Sequence, residues 1–265
     1  MKSRLILLAL LVAFETVIIP LRARANTTHA EVSLLSETDQ PRPGSTFLIG
    51  IRILPAPGWH SYWSNPGDSG IPPHVQWKAP PGLRFGPLLH PAPTLLKVGG
   101  AVSYVHAGEH ILLARAKLVS TLKRGSELPI QARLVWATCS TSLCVPQRAT
   151  LSLSLKAGIG SPNSSAISLK LAEQRLPTRV IPGVLNTRAG AVRMMVPGAA
   201  HVDPARATFF PDSNEMIAAS TLHLRVFHGR TEILGQTSGS QIRSSISGVL
   251  SDGKKSYALS FRNLR

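Results

Sequence analysis

Short stretches of period-two alternation recur along the chain, and each predicts a strand with one face turned to a core. The first covers residues 28–34, and a second, dense in β-branched and apolar residues, covers 46–54. Over 110–119, Leu112, Ala114, Ala116 and Leu118 fall on one face, with Arg115 and Lys117 on the other. Residues 129–138 repeat the pattern with Ile130, Ala132, Leu134 and Trp136 inward, and 149–155 set Leu151, Leu153 and Leu155 against Thr and Ser. A second group of short strands follows at 189–196, 207–210, 215–227, 244–250 and 256–262, separated by turn signals. Between the groups, residues 156–166 are rich in Gly and Ser and have no periodicity, which predicts a linker. Ser165 is placed to cap a short helix over 167–175, where Leu169 and Leu171 flank Ala172 and where Glu173 and Gln174 face outward. Residues 55–73, dense in Pro and Gly, read as a long ordered loop.

Composition sharpens this into a fold class. With 21 Pro and 21 Gly and only short apolar runs, the chain reads as all-β. Its 265 residues allow two modest domains: a β-sandwich over 26–157, a linker with a short helix over 158–187, and a second, smaller β-rich sandwich over 188–265. At the start, a basic tip, an apolar run over residues 5–14 and the small-x-small triplet Ala23-Arg24-Ala25 have the layout of a cleaved export signal, residues 1–25. Glu15 and Pro20 interrupt the run, so it is short for a bilayer-spanning helix, which needs roughly 20 apolar residues. Without residues 1–25 the chain has 25 basic and 12 acidic residues, a net charge of +13. These charges are spread thinly and no aromatics interleave with them, so nucleic acid is not an expected partner.

An exported chain enters an oxidising compartment, where two cysteines imply either a disulfide or a reactive pair. Cys139 and Cys144 are the two, on the connection between two predicted strands, in a turn short enough for the pair to bond internally. Closing so small a loop restricts the unfolded chain by only about 2 kcal/mol, a small return for a chain with two cores. The spacing thus favours thiol-disulfide exchange, while a structural clip and a soft-metal site such as copper(I) stay open. No Lys or Arg lies between the cysteines, so any tuning of the thiols must come through the fold, with His60, Asp68, His90 and His106 as candidates. Nearby in function, if not in sequence, stands the aromatic run at 57–73, where Trp59, Tyr62 and Trp63 are fit to wall a thiol site and Gly67 and Gly70 to make tight turns. For each of these residues singly, including Trp136, core packing is the competing reading. No cofactor, resident metal or small-molecule substrate is called for by any motif.

Taken together, WHSYWSNPGDSGIPP and WATCSTSLCVP resemble the periplasmic N-terminal domain of the DsbD thiol:disulfide interchange proteins, and more closely the ScsB branch. The likeness covers roughly residues 30–155; residues 207–211 and 246–250 resemble pieces of the same longer periplasmic region. It implies an immunoglobulin-like sandwich whose redox centre is Cys139 and Cys144, with residues 59–70 close to the site. It also implies a periplasmic location, electrons received from a membrane domain, and thioredoxin-like proteins, including disulfide isomerases, as acceptors. Two departures stand out. This sequence ends at Arg265 without a multi-span segment or a thioredoxin-like domain, so the expected electron source is a separately encoded, membrane-embedded thiol reductase. The family's cap loop also bears an aromatic, whereas residues 90–100 here have none, leaving Leu95 and Leu96 to shield the site.

Overall fold

In a computed structural model, the chain is described over residues 24–26, 29–177, 179–196, 202–213, 217–227, 229–237 and 245–263. The expected export signal lies outside these residues, apart from Arg24 and Ala25, which with Asn26 form strand β1.

The first half is a sandwich of two sheets. One holds β1, β2 (Ala30–Ser36), β3 (Thr46–Pro55), β9 (His110–Leu118) and β6 (Leu83–Phe85), in that order. The other runs β11 (Cys144–Lys156), β10 (Glu127–Cys139), β4 (His60–Gly67), β8 (Ala101–His106) and β7 (Thr94–Val98). β5 (His74–Lys78) also pairs with β10. The inward residues read from the alternation meet between the sheets: Ile49, Ile51, Leu112, Ala114 and Leu118 pack against Ile130, Leu134, Trp136, Leu151 and Leu155. Each fully buried aliphatic side chain of this kind contributes about 1.5–3 kcal/mol relative to exposure.

Residues 55–73 are not the long loop that their Pro and Gly content predicted, because β4 runs through them. The alternation is hidden because both faces of this strand are covered: His60, Tyr62, Trp63 and Asn65 are all buried, so no polar stripe marks a solvent side. Pro66 is accommodated where the β4–β8 register shifts, between Tyr62 and Gly67, a place where a missing N–H costs nothing.

The predicted linker is likewise pinned. Gly158 and Gly160 donate to the carbonyls of Pro41 and Gln40, and the Asn163 N–H to that of Glu37. The helix α1 (Ala166–Gln174) follows as predicted, with Leu169 fully buried against Leu35, Leu48, Ile111 and Leu113. Leu171, however, is exposed, and the Ser165 side chain makes no cap. Asn163 Oδ1 takes the Ser165 N–H instead, while its amide donates to Asp39 at 2.6 Å.

The second half forms a seven-stranded sheet in the order β14 (Thr208–Pro211), β17 (Ser245–Ser251), β18 (Ser256–Asn263), β12 (Val180–Arg188), β13 (Ala191–Val196), β16 (Arg230–Gln236) and β15 (His223–Phe227). A single 3-10 turn, Ala219–Thr221, precedes β15. All of β12 but Arg188 falls inside the range expected to be linker; it pairs in parallel with β18, a long-range partner that local pattern does not reveal. The core of this half gathers Leu185, Met194, Phe209, Ile233, Leu250 and Phe261. Among the described residues no helix is long and apolar enough to cross a membrane.

Candidate functional site

Strands β10 and β11 form a long antiparallel hairpin in which Cys139 stands opposite Cys144, the last pair before the turn. Their sulfurs are bonded, with the Cα atoms 4.1 Å apart. The turn closes through the Ser140 N–H to the Leu143 carbonyl at 2.8 Å, and Ser140 Oγ accepts the Leu143 N–H at 3.1 Å. Pro146 is tolerated because β11 is an edge strand. The two sulfurs are unequally placed: Cys139 is only 1% exposed, while Cys144 and Leu143 lie at the surface.

The wall over Cys139 comes from its own strand and three others. Tyr62 of β4, Val105 of β8 and Ala137 of β10 pack around it, and Leu96 of β7 lies against the same cluster. Of the two leucines expected to shield the site, Leu96 packs against this cluster, while Leu95 is 39% exposed. His60 pairs in register with Cys139 and sets its ring edge-on to Tyr62; burial pushes its imidazole below the usual histidine range. Tyr62 Oη approaches Cys144 Sγ at 3.6 Å, within reach of a sulfur hydrogen bond. Burial raises the Tyr62 phenol, and a hydrogen bond with Ser69 opposes that rise, so the hydroxyl stays protonated and able to donate.

A tight turn seats this tyrosine. The Gly67 backbone is left-handed, φ 87°, and a Cβ there would stand 2.3 Å from the Val102 carbonyl. At Gly70, φ 118°, a Cβ would run into the Tyr62 ring. Between them, Asp68 accepts the Val102 N–H at 2.8 Å, so its carboxylate secures the turn to β8.

The other candidates are dispersed. Trp59 stacks on His29, with ring centroids 3.6 Å apart. Trp63 points to the opposite side of β4 and packs with Tyr104 and Phe210. Trp136 is a fully buried core residue whose indole donates to Thr138 Oγ1 at 3.0 Å. His106 stacks on His110 behind β4, where Ser61 Oγ lies 3.0 Å from His110 Nε2. Because His110 Nδ1–H donates to the Gly108 carbonyl, Nε2 is left to accept from Ser61 in the neutral ring. Burial depresses His106 well below the usual range and takes His110 and His90 to about 4. Among the described residues, no group of three or more His, Cys, Asp or Glu is arranged to hold a metal ion. Sequence reading missed Ser61, Asn65, Ser69, Tyr104 and Phe210. The signal for the first two was the alternation inside 60–65, masked by two-sided burial.

A β-sandwich with one disulfide at a hairpin end, one sulfur buried and the other open, defines this half as a thiol-disulfide interchange type of domain. The comparisons agree: the family described as thiol:disulfide interchange protein DsbD, N-terminal, matches residues 31–156, and that part of the chain is similar to a DsbD N-terminal domain. The fold is similar to the crystal structure of the N-terminal periplasmic domain of ScsB from Proteus mirabilis, with TM-score 0.66 and 18% identity over 88% of this chain and 93% of that one. A chaperone-tip adhesion subunit complex from Acinetobacter baumannii pili aligns over 88% of this chain and 99% of that one, at 14% identity, but with TM-score 0.19 it carries no argument. No curated protein matches the sequence.

Proposed function

We propose that Cys139 and Cys144 form a periplasmic exchange centre that takes an electron pair from a membrane-embedded thiol reductase and passes it to thioredoxin-like or isomerase proteins. The observation that carries this reading is the unequal exposure of the two sulfurs beneath Tyr62 and Leu96. A structural clip has no need of one accessible sulfur beside a hydroxyl donor, whereas exchange needs the accessible sulfur and is aided by the donor.

The chemistry follows from that asymmetry. A reductase thiolate attacks Cys144 Sγ, the Cys139–Cys144 bond breaks, and Cys139 leaves as a thiolate. A second reductase thiolate then attacks its own sulfur in the mixed disulfide, which forms the reductase disulfide and releases Cys144. The pair has gained two electrons. In the opposite half-cycle Cys144 thiolate attacks the disulfide of an oxidised acceptor, and Cys139 resolves the mixed disulfide, leaving the acceptor as a dithiol. Tyr62 Oη, donating to Cys144 Sγ, favours the thiolate in both halves.

The test is the thiol state of the pair, read by alkylation after equilibration in thiol-disulfide buffers. A pair that interconverts within the range of thioredoxin-like proteins, roughly −120 to −270 mV, agrees with exchange, and one that stays oxidised below about −300 mV is a structural bond. Cys139→Ser should also trap a mixed disulfide between Cys144 and a thioredoxin-like protein, since the resolving sulfur is gone.

A further inference from the structure

We propose that the second half of the chain is a positioning element for the exchange centre: it grips the far side of β4 and so holds Tyr62 against Cys144. The inference rests on the exchange reading above and assigns a role to the part of the chain outside the family match.

Strand β4 is weakly held by its own sheet. Its ladder with β10 is confined to His60 and Ser61, and its ladder with β8 loses register after Tyr62 and resumes only at Gly67. Over the gap, the fixed points are supplied by β14 and its neighbours. Trp63, next to Tyr62 and on the opposite face, packs edge-on against Phe210 with centroids 6.3 Å apart. Tyr104 of β8 meets the same Phe210 ring at 5.2 Å, and Val249 and Ala219 close the cluster. Two residues further on, the buried Asn65 amide donates to the Pro211 carbonyl at 2.7 Å. Its Oδ1 accepts the Gly67 N–H at 3.1 Å, at the head of the turn that ends with Gly70 under the Tyr62 ring. One side chain therefore joins a second-half carbonyl to the turn that seats the tyrosine. Asn65 acts through Tyr62 and touches neither sulfur, so it is a positioning residue.

The experiment uses the full chain with Tyr62→Phe, Asn65→Ala, Phe210→Leu and the Tyr62→Phe/Asn65→Ala double variant. Two quantities are read: the pH profile of iodoacetamide alkylation of Cys144 in the reduced protein, and the equilibrium with glutathione. Loss of a hydrogen bond to a thiolate should slow alkylation below the thiol pKa by about tenfold in Tyr62→Phe. Asn65→Ala and Phe210→Leu should move the profile in the same direction by a smaller factor, and the double variant should match Tyr62→Phe alone, the mark of a shared route. The proposal is overturned if Asn65→Ala and Phe210→Leu lower the melting temperature while leaving the pH profile and the glutathione equilibrium at wild-type values. A shift in Tyr62→Phe without one in the other two removes this inference and leaves the exchange reading standing. A wild-type pair that no dithiol reduces removes both.

Discussion

Replacing His110 by Gln should flatten the acid limb of the stability curve. His110 is 6% exposed, and burial lowers its pKa from 6.5 to about 4, against the opposing pull of the Gly108 carbonyl and the Glu109 carboxylate. A depressed histidine means that the unfolded chain binds the proton first. The stability tied to the neutral ring is therefore complete above pH 6.5 and drains away as the pH falls towards 4. A shift of that size is worth about 3 kcal/mol below both values, of which about 2 kcal/mol is gone by pH 5. Set against the 5–15 kcal/mol typical of a folded domain, this is a large fraction. Around the ring stand Ser61 of β4, His106 of β8, His90 before β7, and Glu109, itself paired with Arg52 of β3. His106 and His90 remain in the variant, so the comparison isolates His110, although protonating one imidazole suppresses the next. The glutamine amide retains a donor for Gly108 and an acceptor for Ser61. Urea unfolding at pH 7.5 and pH 5 is the assay, and the wild type should lose about 2 kcal/mol more than His110→Gln between the two. Parallel curves would refute the reasoning, whatever the absolute stabilities.

Two further outcomes follow from the site. Gly70→Ala combines a left-handed backbone with a Cβ driven into the Tyr62 ring, so it should cost about 1–3 kcal/mol and also slow alkylation of Cys144; a variant as stable and as reactive as wild type would show that the turn is not what seats the ring. Leu96→Ala should uncover Cys139, so that in the reduced Cys144→Ser background its alkylation by iodoacetamide rises several-fold, and an unchanged rate would deny β7 the shielding role.

The strands with one wet face were legible in the sequence, because β9, β10 and β11 each alternate core residues with Arg, Lys, Thr, Gln or Ser. The helix was legible from the spacing of Leu169 and Leu171 against Glu173 and Gln174, although its contact through Leu169, and not Leu171, was set by β2, β3 and β9. The cysteine pair was legible from spacing, since a turn that short between two predicted strands brings the cysteines close enough to bond. The tertiary structure alone decided how the sulfurs differ. Cys139 is buried and Cys144 open because β4, β7 and β8, distant in sequence, converge on one side of the hairpin only. It also decided the fate of the aromatic run. Trp59, Tyr62 and Trp63 look equivalent in the sequence, but strand alternation sends Tyr62 to the sulfur and Trp63 to Phe210, and a period of two cannot be read where both faces are buried.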